Sequence, residues 1–462
     1  MGPWDAAIIV IYLVVVTAIG LWLARGQDSD NFFVNRQSRS TALTLFSVVS
    51  TNVGAATLLG VASEGFKTGI SWGLNVVFIV VFGFLFLGLY ANRLKKLSDD
   101  GKLTTLSQFY LLRYKSKGCH RVSSLLILAA YFLFISAQFR GLSQMISFWT
   151  GTSVATCIYV AGALVVALTA LRGIKGDMYT DGVHFVVMFI ALLLLLPYFT
   201  FHNHVTTAQI FQLPKEYFNP FNYQGEVFFL GSIAFGIPVL FASMEFWQLL
   251  FSLKDNTEHK TKARRLFFWA AVLNAPMILV PTVLGLSERA LNPNLHTPDL
   301  TLIDLITTCL PAGARGLAAA GLLAAILSTV NAMVLVASST FSFDILESGL
   351  SIKPPLLAKR LITAVVAVLG VLLATRMGGI VDQLILGCQV IGILAPSLVG
   401  GMWLGERFKS AAFYSLIVGV VSFPIALAIP ALGMKLAFVP AITLSTFTYL
   451  CVLAFKTRKL PN

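Results

Sequence analysis

With 462 residues, 57% of them apolar and only 11% charged, the chain lacks the roughly 25% charged content of an average soluble domain. Apolar runs near the roughly 20 residues that cross a bilayer core as a helix recur along it, and the short alternating segments of a membrane barrel are absent. The net charge of +13 would suit a polyanionic partner, but its distribution reports membrane topology, so nucleic acid is excluded as a partner.

In lipid every backbone amide must be paired within its own segment or barrel, so the apolar runs are predicted to be helices. Thirteen spans are expected, at about 6–24, 42–64, 70–91, 122–147, 153–171, 178–200, 227–251, 267–288, 314–346, 360–375, 379–404, 410–431 and 434–455. The first has an acidic approach at Asp5 and no small-residue cleavage site, and is expected to remain as a span rather than be removed as a signal peptide. The second carries Ser50-Thr51-Asn52-Val53-Gly54-Ala55-Ala56-Thr57, a polar, glycine-bearing patch in an apolar run. Residues 103–114 are amphipathic and basic, which suits a helix along the cytoplasmic surface. Residues 201–226, with His202, His204, Pro214 and Pro220, form the longest outside loop, a connector or alternatively a lid.

Five spans after the second, the seventh carries Gly236-Ile237-Pro238 in the same relative position. Proline removes an amide donor and glycine weakens a helix, so both places are candidates for unwinding. The bland alternative is that both residues are simply frequent in membrane helices. Read as matched breaks, they divide one transmembrane domain, 1–462, into two inverted five-helix repeats at 42–200 and 227–404. The segments 6–24 and 410–455 are then accessory.

The basic residues fall almost entirely on one side of this arrangement. If the N-terminus lies outside, the inner loops hold those between Arg25 and Arg39, Arg93 and Arg121, Arg172 and Lys175, Lys254 and Arg265, Lys353 and Arg360, Arg407 and Lys409, and Lys456 and Lys459. The outer side holds Lys67, Lys215, Arg289, Arg315, Arg376 and Lys435. Such a split is the positive-inside pattern, with a cytoplasmic C-terminus. The five cysteines show neither a disulfide framework nor metal-ligand spacing.

Chemistry inside an apolar chain concentrates on its few polar groups. In the ninth span, Ala324-Ala325-Ile326-Leu327-Ser328-Thr329-Val330-Asn331-Ala332 places two hydroxyls, an amide and small residues within about two turns. Sodium is a hard cation, and hydroxyls plus carbonyls released by an unwound helix could ligate it. Back-bonding to the preceding turn, or close helix packing, is the plain alternative. Asp181 lies three residues into the sixth span, where an ionisable group defaults to a functional reading and a helix cap is the alternative. Arg140 in the fourth span either pairs with an anion or carbonyl or snorkels outward. Glu245, followed by Phe246-Trp247-Gln248, could serve an organic solute, although Trp near an interface is also an ordinary belt residue. No nucleophile elbow, phosphate loop or paired carboxylates are seen, so enzymatic catalysis is not expected.

Three segments resemble the sodium:solute symporter family, the group that includes sodium/proline, sodium/galactose and sodium/sialic acid carriers. The first is Ser50-Thr51-Asn52-Val53 with Leu58-Leu59-Gly60 and Gly69-Ile70-Ser71-Trp72-Gly73. The second, Gly173-Ile174-Lys175-Gly176 through Tyr179-Thr180-Asp181, is similar to the family's GG(L/I)KAVxYTDxxQ. The third, Gly316-Leu317 through Gly321-Leu322-Leu323-Ala324-Ala325-Ile326-Leu327-Ser328-Thr329 and on to Phe343-Asp344-Ile345, is similar to its GLxxAGLLAAxxST and xxDIY. The resemblance implies an all-α polytopic protein of leucine-transporter-type fold that works by alternating access. It implies a sodium ion held by carbonyls at Ser50, Val53 and Ala325 and by hydroxyls at Ser328 and Thr329. Some members bind a second sodium at the aspartate matched by Asp181. Here the positions after the hydroxyl pair are Asn331 and Ala332, so one ion is expected.

The chain departs from the family pattern at His184, in place of glutamine, and at Arg172, in place of the first glycine. For the solute, the resemblance points to Thr57, Trp72, Asn75, Gln138, Arg140, Ser243, Glu245, Trp247 and Gln389. Arg140 matches a helix in which sialic acid carriers use an arginine for a carboxylate.

The expected activity is sodium-driven import of a small polar organic solute (sugar, carboxylate or amino acid type) by a monomer in the plasma (inner) membrane. A proton-coupled carrier using Asp181 and His184 is the alternative within that class. A membrane sensor is the alternative outside it, disfavoured because no signalling domain follows Lys456 to Asn462.

Overall fold

The computed structural model describes residues 1–25, 29, 31–34, 36, 38–100, 103–254 and 262–458, and the basic residues Lys102, Lys260 and Lys459 lie outside them. Its helices are α1 (Pro3–Leu23), α2 (Thr41–Asn52), α3 (Ala56–Thr68), α4 (Ile70–Asp99), α5 (Leu106–Tyr114), α6 (Lys117–Thr150) and α7 (Val154–Asn203). They continue with α8 (Gly225–Phe241), α9 (Met244–Ser252), α10 (Lys262–Leu291), α11 (Thr301–Cys309), α12 (Ala314–Leu350) and α13 (Leu356–Ala374). The last are α14 (Ile380–Gly392), α15 (Ala395–Trp403), α16 (Lys409–Leu427) and α17 (Phe438–Arg458). Among the described residues nine helices are long and apolar enough to cross a membrane, or twelve if each of three bent pairs counts as one span.

Those bent pairs are α2/α3 (58°), α8/α9 (40°) and α14/α15 (42°). The first break falls where the polar patch predicts it, with Val53 at φ −98°, ψ 86° and the helix resuming at Ala56. The second falls at Ala242-Ser243, one turn beyond the expected Gly236-Ile237-Pro238. Proline at 238 withholds its own amide, yet the helix runs on to Phe241 before Ser243 turns extended at φ −75°, ψ 107°. The third break divides the expected span 379–404 between Gly392 and Ala395, and Gly392 with Pro396 is its local signal.

One loop expectation also changes. Residues 172–177 form no loop: α7 is continuous except at Gly173, whose φ of 56° and ψ of −172° let two helical segments meet directly. Ile174 N–H donates to the Phe32 carbonyl there (2.9 Å). The outer segment 201–226 is held in place: Ser71 Oγ donates to the Pro220 carbonyl (2.6 Å), and Asn222 Nδ2 donates to that of Thr68 (3.0 Å).

Every residue from Ala318 to Thr340 is buried, making α12 the centre of the bundle. A helix without a polar face belongs in such a place, and its small residues let neighbours approach. Gly316 lies against Asp5 of α1 and Gly321 against Ala191 of α7, where a Cβ would sit 2.6 Å and 2.7 Å from the nearest atoms. Asp5 Oδ1 accepts from Gly313 N (2.8 Å) and Gly316 N (3.0 Å), fastening α1 to the start of α12. Short α5 is not merely laid on a surface. Its Phe109, Tyr110 and Tyr114 are buried, and Arg113 donates to the Gly401 (2.7 Å) and Leu404 (3.0 Å) carbonyls at the end of α15.

Candidate ion and solute sites

A helix that stops inside a bundle leaves backbone groups to be satisfied. At the α2/α3 break, Gln138 Oε1 from α6 accepts from Ala55 N (2.7 Å), and Thr57 Oγ1 donates to the Asn52 carbonyl (2.9 Å). The Val53 backbone angles turn its carbonyl out of the helical ladder. Facing the break is the hydroxyl-bearing turn of α12. Ser50 Oγ donates to Ser328 Oγ (2.6 Å), Ser328 Oγ donates to Asp181 Oδ1 (2.5 Å), and Thr329 Oγ1 donates to the Ala325 carbonyl (2.9 Å). A Cβ on Gly54 would lie 2.8 Å from Thr329 Oγ1 and 2.6 Å from Gln138 Oε1, so the break and α12 are in direct contact. Five residues implied by the resemblance, Ser50, Val53, Ala325, Ser328 and Thr329, are thereby gathered at one buried place. Neutral oxygens from two helices suit a monovalent hard cation.

Behind them lies a buried polar cluster. Asp181 is 1% exposed, with Oδ2 free of any hydrogen-bond partner. Thr169 Oγ1 donates to Asn331 Oδ1 (2.6 Å), and Tyr12 Oη meets His184 Nδ1 at 2.5 Å. Asn331 is thus brought beside α7, and His184 is engaged by the accessory helix α1. Arg172, noted in the sequence only as a departure, is fully buried in this cluster.

On the other side of the break is a cavity of about 210 Å³. Its polar lining comes from Thr51, Asn52, Thr57, Asn75, Gln138, Ser232, Ser243, Glu245, Thr329 and Gln389, and its apolar lining includes Trp72, Phe134 and Phe246. No lysine or arginine lines it among the described residues. Asn75 Nδ2 donates to Ser232 Oγ (2.8 Å) and the Phe229 carbonyl (3.0 Å), while Gln389 Nε2 donates to the Met434 carbonyl (2.9 Å) and leaves Oε1 without a partner. Glu245 accepts from the Tyr131 hydroxyl, which in turn accepts from Met244 N (2.8 Å) and so caps α9.

Seven of the nine solute candidates therefore line one cavity: Thr57, Trp72, Asn75, Gln138, Ser243, Glu245 and Gln389. The structure places the other two elsewhere. Arg140 is half-buried on α6 outside the lining. Trp247 is fully buried, donating to the Phe241 carbonyl (2.8 Å) and packed edge-on against Phe109 and Phe241. Sequence reasoning missed Ser232, Tyr131 and Asn274, whose Oδ1 accepts from Asn52 Nδ2 (2.8 Å). The available signal was common to all three, a polar side chain within an apolar span.

The chain matches the model of the sodium:solute symporter family over residues 32–419. It is 25% identical over 466 residues to the sodium/pantothenate symporter of Escherichia coli, covering 96% of this chain and 94% of that protein. It is 24% identical over 348 residues to the Haemophilus influenzae sodium/pantothenate symporter, covering 74% and 72%. To sodium/glucose cotransporter 1 of Sus scrofa it is 23% identical over 481 residues, covering 90% and 70%. Among solved structures, a substrate-bound, outward-open Na+-coupled sialic acid symporter superposes with a TM-score of 0.80 at 17% identity, covering 98% of each chain. A nucleobase-cation-symport-1 family transporter in a closed conformation superposes with a TM-score of 0.59 at 14% identity, covering 92% and 94%. The fold is thus that of the leucine-transporter-type sodium symporters.

Proposed function

Since the chain belongs to the sodium:solute symporter family and is a sodium-coupled membrane carrier of a small organic solute, we propose that its ion sits between the α2/α3 break and α12. The solute is proposed to sit in the cavity beside it. The ligands are the Ser50, Val53 and Ala325 carbonyls and the Ser328 and Thr329 hydroxyls. The convergence of Ser50 and Ser328 at 2.6 Å across two helices is the observation that carries this reading.

The solute is uncharged and rich in hydroxyl or amide groups. A lining of amides, hydroxyls and the Glu245 carboxyl, with no cationic side chain among the described residues, supports that choice over a carboxylate. Thr57, Asn75, Gln138, Ser243 and Gln389 supply the hydrogen bonds, with Trp72 as an apolar wall. Arg140 and Trp247 take no part.

Sodium would hold α2 and α12 together and present the Gln138–Ala55 pair to the cavity in its solute-binding arrangement. Each charge moved inward yields about 2.3 kcal/mol per 100 mV, which the shared α2/α3 break passes to the solute. Reading α7 as two crossings that meet at Gly173 gives thirteen spans. The basic distribution then supports an outer N-terminus and a cytoplasmic C-terminus in the plasma (inner) membrane. The segments 42–200 and 227–404 are the inverted repeats, each led by a broken helix, and the monomer is the working unit.

The test is the melting temperature of purified protein in detergent, with sodium against potassium, across a panel of polyols, amides and carboxylates. Ligands of the folded state stabilise it by mass action. Stabilisation by sodium that a neutral polyol or amide enlarges is expected. A larger gain with carboxylates would overturn the solute class, and no sodium effect would overturn the ion site.

A further inference from the structure

The solute cavity is not walled by the two proposed repeats alone, since Phe438 and Ile442 of α17 also line it. The turn Gly433–Leu436 that leads into α17 reaches back to the same cavity. There the Met434 (2.9 Å) and Lys435 (3.3 Å) carbonyls accept from Gln389 Nε2. Only the amide's NH2 group can serve two carbonyls, so Gln389 Oε1 takes no part in this contact. Lys435 Nζ lies 4.6 Å from the centre of the Tyr223 ring. That ring packs on Trp72 (4.7 Å between ring centres) and edge-on against Phe228 (5.3 Å), two residues of the cavity wall. Tyr223 N–H donates to Ser71 Oγ (2.9 Å), which seats the ring at the start of α4. One turn of chain thus grips two walls of the cavity: α14 through its carbonyls, and α4 through its ammonium group and Tyr223.

This closure is held against a cost. Trp72 Nε1, Tyr223 Oη and Gln389 Oε1 are all buried without a hydrogen-bond partner, and a polar atom so placed forfeits the bond it makes in water. Admitting water to this end of the cavity would return those bonds, so the contacts that the turn supplies are what keep it shut. Its charged contact is the ammonium over the Tyr223 face, which a neutral side chain does not reproduce. We propose that the turn Gly433–Leu436 is a lid on the solute cavity and that Lys435, through Tyr223, positions it shut. The inference rests on the solute cavity proposed above. A solute hydroxyl or amide beneath the lid would give Gln389 Oε1 or Trp72 Nε1 a partner, so closure over solute is more favourable than closure without it. Lys435 is a positioning residue: it acts on Tyr223, which packs on Trp72 of the wall.

Cys388 lines the cavity and is half-buried, so its alkylation by iodoacetamide reports access. The rate is read by mass spectrometry of the purified full chain in potassium, relative to the same chain unfolded in dodecyl sulfate, for wild type, Lys435→Met and Lys435→Arg. Lys435→Met keeps a stem of similar length without the charge, and should raise the native rate roughly three- to thirtyfold, the range that a cation–π contact supports. Lys435→Arg keeps a cation over the ring and should stay within about twofold of wild type. A Lys435→Met rate no faster than that limit, or a rise shared equally by Lys435→Arg, overturns the proposal. Equal acceleration at the buried Cys119, Cys157 and Cys309 would mean general loosening and overturns it as well. No alkylation of native Cys388 in any of the three chains overturns the solute cavity itself and the lid with it, an outcome distinct from an unchanged rate.

Discussion

Replacing Gly54 by alanine tests whether the break and α12 must touch for sodium to bind. A Cβ at this position would meet Gln138 Oε1 at 2.6 Å and Thr329 Oγ1 at 2.8 Å, whereas ordinary contact begins at 3.4 Å. The break must then move away from its neighbours by the difference, roughly 0.8 Å, and overpacking of this kind costs about 1–3 kcal/mol. Thr329 is a proposed ligand, and ion–oxygen distances tolerate little stretching, so the cost falls on the sodium-bound state. A loss of 1.4 kcal/mol is tenfold in affinity, which puts the expected weakening between roughly fivefold and 150-fold. The assay is the sodium concentration giving half-maximal thermal stabilisation. A midpoint within a factor of two of wild type would refute the contact as a determinant of sodium binding.

Other perturbations separate the two sites from the scaffold. Ser328→Ala combined with Thr329→Ala should abolish sodium-dependent stabilisation while the protein still folds; intact sodium dependence would remove both hydroxyls from the ion site. Tyr131→Phe strips a hydrogen bond from buried Glu245 and from the Met244 amide, and should cost about 1.5–3 kcal/mol in stability, read as a lower melting temperature in potassium alone. Gly69→Ala meets the Tyr217 carbonyl at 1.9 Å with φ at +78°, so it should destabilise the outer loop by more than 1 kcal/mol, detectable as faster proteolysis within 204–224. Lys115 and Glu406 form an ion pair at 2.7 Å that holds the Glu406 carboxyl below its ordinary range. Any stability it adds is present above the ordinary glutamate pKa and lost as pH falls through the lowered one. Both groups are solvent-exposed, so Lys115→Ala should leave the melting temperature at pH 7 unchanged.

Much about this protein is determined by composition and local pattern alone. Span positions, membrane residence and the basic asymmetry follow from transfer free energies that act residue by residue, whatever the neighbours are. The patch from Ser50 to Thr57 announced its own break because glycine and competing hydroxyls weaken a helix locally. The family motif around Ser328 and Thr329 marked the helix that would face it. Tertiary structure decided what depends on approach between distant segments. The seventh-span break settled at Ser243 rather than Pro238, where Tyr131 from α6 accepts from the buried Met244 amide that the break leaves outside the helical ladder. Trp247, a plausible solute contact by type, was claimed by Phe109 and Phe241, while Ser232 took a place in the cavity through Asn75. Arg172 could be seen in the sequence only as a departure from a motif. Its burial against Gly20 of α1 was decided only when two segments distant in the chain packed together, because neither segment alone encodes which other one it will meet.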